Sequence, residues 1–225
     1  MGRREDRSSP TLEKCPQDIN ELVQEVSIQT EKVFKESKVG SPFCSGVLTC
    51  CPTIHHKDLP SDFPPPPEWK EADYAKVKPL LSQAPYGKGM ETVIDKNVRD
   101  ALEIAQDSLV IENKNEWQAQ LAKAVQHSAE NLVPNIGASG ISAELYKLVV
   151  YEVGGHFKAH RDTQRSELHF GTLVVILPSK ATGGELVLRH GEKEETFTIP
   201  GGKKKCTYIS YFADVEHEVL PVTKG

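Results

Sequence analysis

The chain has 225 residues, of which 38% are hydrophobic and 26% charged, and its 27 basic and 32 acidic side chains give a net charge of −5. This length suits one large domain or a domain with an extension, and the acidic balance excludes a general nucleic-acid-binding coat. The longest purely apolar run, 173–177, is far shorter than the roughly 20 residues of a membrane span, and the charged N-terminus lacks the apolar stretch of a secretory signal.

Residues 1–40 are predicted to form an N-terminal extension with one amphipathic helix. Its first part is polar and charged, which favours disorder. Asp18 and the glutamate three residues later have the spacing of a capping box, apolar residues follow at helical spacing, and Gly40 can end the helix. We expect a helix over 18–38 that packs on the following domain; a partner-binding helix is the alternative.

The middle of the chain mixes irregular segments with helical patterns. The run Pro64–Pro67 predicts a stiff, extended spacer, and an SH3-type ligand is the alternative. The predicted elements are a short strand over 47–50, a helix over 69–83 interrupted by Pro79, a short helix over 98–106, and a helix from Asn115 that stops at Pro134.

From Leu145 onward, short β-branched and aromatic segments alternate with glycine turns such as 182–184 and 200–202. Several short strands at near-regular spacing favour a sandwich or a jelly-roll barrel. Because helices precede strands, the predicted class is α+β. We expect a double-stranded β-helix (jelly roll) over 41–225, with the N-terminal helices packed against it.

The cysteines indicate the redox compartment. There are five: Cys15, Cys44, Cys50, Cys51 and Cys206. An odd count without a secretory signal predicts free thiols and no disulfide, in the cytoplasm or nucleus. The acidic net charge and the short apolar runs predict no nucleic-acid or membrane partner. Cys206 begins a predicted strand and is expected to be a core thiol. A zinc site that joins the cysteines of 44–51 to His55 and His56 is an alternative, although the spacing matches no standard pattern.

The strongest chemical signal is His160-Arg161-Asp162, which follows a predicted strand. In an extended chain, residues 160 and 162 point to one face, so an imidazole and a carboxylate converge. His217 lies several predicted strands further on, enough for a jelly roll to bring it beside them. Two histidines and one carboxylate on one face of a metal form the facial triad of non-haem Fe(II) oxygenases. A 2-oxo acid can occupy two of the remaining coordination positions and O₂ the third.

The same region resembles the 2-oxoglutarate- and Fe(II)-dependent dioxygenases, in particular their prolyl 4-hydroxylase-like branch. Five elements occur in the family's order over 145–225: Tyr151 in a Tyr-x-x-Gly segment, His160-Arg161-Asp162, Thr172 on the following strand, the turn Gly183-Gly184-Glu185, and the segment around His217. The stretch 84–95 is similar to the N-terminal part of a fungal-type subgroup.

The resemblance implies a role for each of these residues. His160, Asp162 and His217 would bind Fe(II), whereas Tyr151 and Thr172 would contact 2-oxoglutarate. The implied reaction hydroxylates a C–H bond, of a prolyl or other protein side chain, while 2-oxoglutarate and O₂ become succinate and CO₂. Ascorbate is a candidate accessory reductant, and the substrate itself is not specified by the sequence.

One departure from the family concerns the cation that binds the far carboxylate of 2-oxoglutarate. The family places an Arg or Lys about ten residues after the distal histidine, and counting from His217 this position falls past Gly225. We expect the domain to lack part of its last strand, or another cation, such as Lys147, Lys158 or Arg189, to take this role.

Two other functions stay open at this point. One is a non-catalytic metal-binding jelly roll that acts as an interaction module, for which the departure at the cation is the motivation. The other is a cupin-like metalloenzyme that uses no 2-oxo acid. It is disfavoured because such sites generally use more histidines than the single His-x-Asp pair found here.

Overall fold

The computed structural model describes residues 40–65, 69–89, 91–135, 140–164, 166, 168–198 and 205–225. The predicted helix over 18–38 lies outside these residues. The helices are α1 (Glu71–Val77) and α2 (Lys114–Leu132), with 3₁₀ turns at Lys78–Leu80 and Gln106–Ser108. The strands of the first half are β1 (Phe43–Leu48), β2 (Ile54–His56), β3 (Ser82–Gln83), β4 (Tyr86–Lys88), β5 (Glu91–Val93), β6 (Arg99–Asp100), β7 (Leu102–Ala105) and β8 (Leu109–Ile111). Those of the second half are β9 (Lys147–Val150), β10 (His156–His160), β11 (Gly171–Ile176), β12 (Thr182–Gly183), β13 (Leu186–His190), β14 (Lys193–Phe197), β15 (Cys206–Phe212), β16 (Glu216–Val219) and β17 (Val222–Lys224).

The largest sheet has five strands in the order β14-β13-β16-β10-β6. Its neighbours are antiparallel, and β16 lies between β13 and β10, so that His217 is opposite Leu188 on one side and His160 on the other. At the edge, Arg99 of β6 is paired with Phe157 of β10. This order places residues that are far apart in the sequence on adjacent strands.

A second sheet, of order β1-β15-β11, is covered on both faces. Along β15 the side chains alternate, as the two-residue period of a strand requires. Ile209 and Tyr211 join the core cluster that includes Leu188 of the large sheet, whereas Cys206 and Tyr208 pack in a cluster with Trp117 of α2. Burial on both faces explains why the neighbouring strand β11 is apolar almost throughout.

Helix α2 is joined to this sheet by a polar contact as well as by apolar packing. The buried hydroxyls of Ser128 and Ser210 lie 2.7 Å apart, and Ser128 also donates to the carbonyl of Ala124. On the same face, the Tyr208 hydroxyl contacts Nδ1 of His127 at 2.8 Å. His127 therefore contributes a packing contact between α2 and this sheet.

The remaining strands form small sheets: β3-β7-β9, β12-β17, β2-β8 and β4-β5. The turn before β13 uses Gly183 and Gly184 at φ of 77° and 73°, a conformation that favours glycine. The described part of the chain is mostly β-sheet with few helices, which fits the predicted jelly roll. Within this part, neither helix has the length and apolarity to cross a membrane.

The helical predictions for the middle of the chain hold in part. The long helix α2 is present and ends two residues before Pro134, and the 69–83 helix is shortened to α1 and a 3₁₀ turn that contains Pro79. The predicted helix over 98–106 is wrong, because this segment forms β6 and β7. Short apolar patterns fit a helix and a strand equally well, and here pairing with β9 and β10 decides.

The prediction of free thiols without a disulfide is also wrong. The structure joins Cys51 to Cys206 in a disulfide, with Cα atoms 5.6 Å apart. Leu48 at the end of β1 is opposite Cys206 at the start of β15, so this register brings Cys51 close. The two cysteines are 155 residues apart in sequence, and the number of cysteines in the chain cannot reveal such a pairing. Cys206 is fully buried, as expected, and Cys44 and Cys50 are free.

Candidate metal centre

The large sheet brings the three predicted metal ligands together. His160 ends β10, Asp162 follows two residues later, and His217 lies on the adjacent strand β16 as the cross-strand partner of His160. One ligand atom from each residue lies within 4.8 Å of those of the other two. Of the described residues, only these three form such a group, and the alternative zinc cluster near His55 and His56 does not assemble.

A β-bulge in β10 sets the relative orientation of the Phe157 and His160 side chains. Phe157 is opposite Val219 and His160 is opposite His217, so three steps on β10 match two on β16. The extra residue lets Phe157 and His160 face the same side, which strict alternation would forbid. Their rings stack with centroids 3.5 Å apart. The strand therefore does not follow the simple alternation that the sequence analysis assumed. Its bulge places the ring of Phe157 against His160.

Both imidazoles are oriented by backbone carbonyls. Nδ1 of His160 lies 2.8 Å from the carbonyl oxygen of Lys158, and Nδ1 of His217 lies 3.0 Å from that of Val215. A carbonyl oxygen can only accept, so each Nδ1 is the hydrogen-bond donor and each Nε2 is the ring nitrogen left to face a metal. Such contacts hold histidine ligands in a fixed tautomer and ring orientation.

The carboxylate of Asp162 is held by a neighbouring strand. Thr172 on β11 donates a hydrogen bond from Oγ1 to Oδ2 of Asp162 at 2.5 Å, while Oδ1 lies 3.6 Å from Nε2 of His217. Thr172, predicted as a contact for 2-oxoglutarate, is thus placed against the carboxylate ligand. Its contact with 2-oxoglutarate stays a prediction.

Burial keeps the first histidine neutral. It lowers the pKa of His160 to about 4, and the nearby His217 contributes to the decrease, while the hydrogen bond to the Lys158 carbonyl and the charge of Asp162 oppose it. At neutral pH the imidazole is therefore unprotonated at Nε2, the form that binds a metal. His217 is only 4% exposed. Two imidazoles and one carboxylate are a donor set that fits Fe(II).

Tyr151 lies just after β9, next to the guanidinium of Arg99. Burial raises the pKa of the Tyr151 phenol; Arg99 opposes this through its charge and a hydrogen bond, and Glu103 adds to the increase. The phenol is therefore protonated at neutral pH and can donate a hydrogen bond. Its predicted contact with 2-oxoglutarate is not tested by this geometry and stays a prediction.

The three cations named from the sequence have different surroundings. Lys147 forms an ion pair with Glu103 at 2.6 Å, and both side chains are largely buried. Arg189 contacts Glu194 and Glu218, each at 2.6 Å. Lys158 is exposed. The charges of Lys147 and Arg189 are therefore already compensated, and Lys158 faces solvent.

A cleft of about 370 Å³ is present nearby, but the metal ligands do not line it. Its lining residues are Arg161, Arg189, His190, Gly191, Asp214 and Glu216. Arg161 and Glu216 are the sequence neighbours of two ligands and point away from them, as alternation along a strand requires. Arg161 is exposed.

The sequence analysis missed three residues beside the triad. These are Phe157, which stacks on His160; Tyr211, whose ring lies 4.7 Å from that of His217; and Arg99, which lies over Phe157. Tyr211 was visible only as a strand residue, and Phe157 lay outside the predicted strands, between the strand before Gly154 and the His-x-Asp motif. Arg99 was hidden because its segment was interpreted as a helix, and a lone arginine carries no motif.

Comparison with known proteins agrees with the C-terminal part of this description. Residues 146–225 match the sequence model of the 2OG-Fe(II) oxygenase superfamily. No curated protein matches the chain significantly. Among solved structures, a Pseudomonas putida prolyl-4-hydroxylase is similar at 15% identity and a TM-score of 0.45, over 88% of this chain and 93% of that one. An oxidoreductase of the 2OG-Fe(II) oxygenase family from Burkholderia pseudomallei is similar at 15% identity and a TM-score of 0.37, over 94% and 88%.

Proposed function

We propose that this chain is an Fe(II)- and 2-oxoglutarate-dependent oxygenase that hydroxylates a C–H bond. The observation that carries the proposal is the convergence of His160, Asp162 and His217, with ligand atoms within 4.8 Å of one another. The match of residues 146–225 to the 2OG-Fe(II) oxygenase superfamily supports the same reaction class, because all three residues lie within it.

The protein's own residues would prepare the site before any substrate arrives. His160 and His217 would offer Nε2, since both Nδ1 atoms are used by carbonyls. Asp162 would supply the negative charge, held in place by Thr172. The rings of Phe157 and Tyr211 flank the two histidines and exclude water from one side. Fe(II) bound there would supply the activation of O₂ at its open coordination positions.

The overall reaction balances without a further reductant. One substrate C–H, one 2-oxoglutarate and one O₂ give one C–OH, one succinate and one CO₂. One oxygen atom enters the substrate and the other enters succinate. Ascorbate would act only outside this balance, by keeping the iron reduced.

The proposed substrate is a prolyl or other side chain of a protein. Support comes from the segment between Asp162 and β11. There Leu168 is 90% exposed and Phe170 is 41% exposed. Exposed apolar side chains in the loop that follows a candidate metal ligand suit contact with a peptide surface. The exposed residues lie in the loop that follows Asp162 directly in sequence.

The test uses the whole chain loaded with Fe(II) under nitrogen. We expect added 2-oxoglutarate to produce a weak visible charge-transfer band, and the His217→Ala variant to show none. His190→Ala, a histidine at the exposed end of β13, is the matched control and should keep the band. Bound Fe(II) with no band would contradict the proposal and favour the non-catalytic metal-binding module. No Fe(II) binding at all would reject both.

A further inference from the structure

Phe157 is the middle layer of a three-group stack that ends on the first candidate metal ligand. Its ring is stacked on the imidazole of His160, with centroids 3.5 Å apart and planes inclined by 26°. The guanidinium carbon of Arg99 lies 4.5 Å from the centroid of the same phenyl ring. Two groups at these distances cannot share one face of the ring, so Phe157 lies between a cation and the imidazole. The phenylalanine is only 7% exposed.

Backbone pairing holds both neighbours of Phe157 in place. Arg99 on β6 is directly opposite Phe157 on β10, and the bulge of β10 turns His160 to the side that Phe157 faces. The Arg99 guanidinium is itself fixed, because Nη1 donates to the carbonyl oxygen of Pro85 at 2.6 Å. The ring of Tyr86 adds an edge contact to Phe157, with centroids 6.1 Å apart. The plane of the Phe157 ring is therefore set by contacts from β4, β6 and β10.

The two histidines of the triad are restrained to different degrees. His217 is 4% exposed, whereas His160, the last residue of β10, is only partly buried. The hydrogen bond from Nδ1 of His160 to the Lys158 carbonyl fixes one atom of the ring but does not define its plane. The His217 ring is tilted by 55° against it and provides no parallel surface. The face of Phe157 supplies this missing restraint, and a side chain already held in its binding orientation loses less conformational entropy when it binds a metal.

We propose that Phe157 is a positioning residue of the metal centre, which holds the plane of the His160 ring so that Nε2 faces the metal. A phenyl ring has no metal-binding atom, so Phe157 acts only through His160. Thr172 has the corresponding role for Asp162, to which it donates a hydrogen bond. The inference rests on the proposed function for the identity of the metal, Fe(II).

The test compares the same substitution at two buried phenylalanines of the large sheet. Phe157→Leu keeps an apolar side chain but removes the flat ring. Phe197→Leu, the matched control, makes this replacement on β14 at a core residue that is 8% exposed. Competition with a metal-sensitive dye under nitrogen, on the full chain, measures the Kd of Fe(II). We expect Phe157→Leu to raise this Kd by about tenfold, as for lost support of a metal ligand, and Phe197→Leu to leave it nearly unchanged.

A second measurement reports on the histidine without any metal. NMR of the metal-free full chain, with isotope-labelled histidine, resolves the ring nitrogens of His160 and His217. In Phe157→Leu, the Nδ1–H proton of His160 should exchange faster with solvent, while that of His217 keeps its exchange rate. A general loss of packing would change both rates, so a change confined to His160 identifies positioning.

Two further variants keep the result interpretable. Phe157→Tyr retains the flat ring and should restore both the Kd of Fe(II) and the slow exchange at His160. Phe157→Met has a flexible side chain of similar size without a ring. If Phe157→Leu does not fold, as judged by circular dichroism, Phe157→Met takes its place and should show the same two changes.

The outcomes separate this inference from the proposed function. An unchanged Kd in Phe157→Leu, or equal weakening in Phe157→Tyr or Phe197→Leu, would overturn the role of Phe157 alone. If the unmodified chain binds Fe(II) but gives no charge-transfer band with 2-oxoglutarate, the proposed oxygenase fails, while the Kd of Fe(II) still decides the role of Phe157. No Fe(II) binding by the unmodified chain would reject both.

Discussion

The two main sheets of this molecule use their residues in opposite ways. The sheet β14-β13-β16-β10-β6 carries His160 and His217, with Asp162 just past one of its strands, and its edge presents the buried Arg99. The sheet β1-β15-β11 is packed on both faces, against the core on one side and α2 on the other. The contrast teaches that one sheet carries the candidate metal ligands while the other supplies much of the packing. Thr172 of the packed sheet reaches across to Asp162 and connects them.

The largest expected effect separates metal binding from folding. His160→Ala and Asp162→Ala should each abolish Fe(II) binding, because a facial triad that loses one ligand no longer provides its donor set. Neither change removes a core side chain, so the melting temperature of the metal-free chain should stay near that of the unmodified protein. Equilibrium dialysis with iron analysis measures the first, and circular dichroism the second.

His190→Ala is the control for these ligand variants, since His190 ends β13 outside the triad. Full iron occupancy in either ligand variant would refute the assignment of the triad. Loss of folding in both variants would instead show that the large sheet also needs these side chains for stability, which contradicts the contrast between the two sheets.

Substitutions in the core of the sheet β1-β15-β11 should reduce stability, in contrast to the ligand variants, which should reduce metal binding. Ile209 on β15 is completely buried in the core cluster. Replacement by alanine should lower the free energy of unfolding by about 2–5 kcal/mol, through lost burial and a residual cavity. Val47→Ala, at an exposed position of the adjacent strand β1, is the control and should change little. Urea denaturation of the metal-free chain provides the measurement, and equal effects of the two variants would contradict the described core.

The disulfide gives a third comparison, at the edge of the packed sheet. Without reductant, the intact mass should be two units below the all-thiol value, and the Cys51→Ala variant should lack this difference. Closing a long loop stabilises a folded chain by about 2–4 kcal/mol, so a reducing agent should lower the unfolding midpoint of the unmodified chain but not of the variant. An all-thiol mass under non-reducing conditions would restore the original prediction of free cysteines.

The smallest predicted effect concerns the connection between the sheets. Thr172→Val keeps the shape of the side chain but removes the hydrogen bond to Asp162. Loss of such a supporting contact typically costs about 10- to 100-fold in metal affinity, so Fe(II) should bind more weakly yet still bind. Thr196→Val, at an exposed position of β14, is the matched control. Competition with a metal-sensitive dye measures both affinities, and an unchanged affinity in Thr172→Val would remove Thr172 from the support of the site.

Local patterns were sufficient to select three residues that the structure brings together, but not to predict their surroundings. His160, Asp162 and His217 could be chosen because their residue types and order are specific, and the structure brings all three together. The bulge beside Phe157 was not predictable, because it depends on the register between β10 and β16. Likewise, Thr172 could be selected from its position on the next strand, but only the packing of β11 shows that it contacts the carboxylate of Asp162.

The errors have a common physical origin. The segment 98–106 was predicted as a helix, and Cys51 and Cys206 were predicted to be free, because both outcomes depend on partners far away in sequence. The sequence by itself determined the predominance of strands after Leu145, the long helix before Pro134 and the identity of the three candidate ligands, since these rest on local periodicity and on side-chain chemistry. Only the tertiary structure decided the strand register, the disulfide and the burial of Arg99 beside the metal centre, because these arise from long-range pairing that no local pattern encodes.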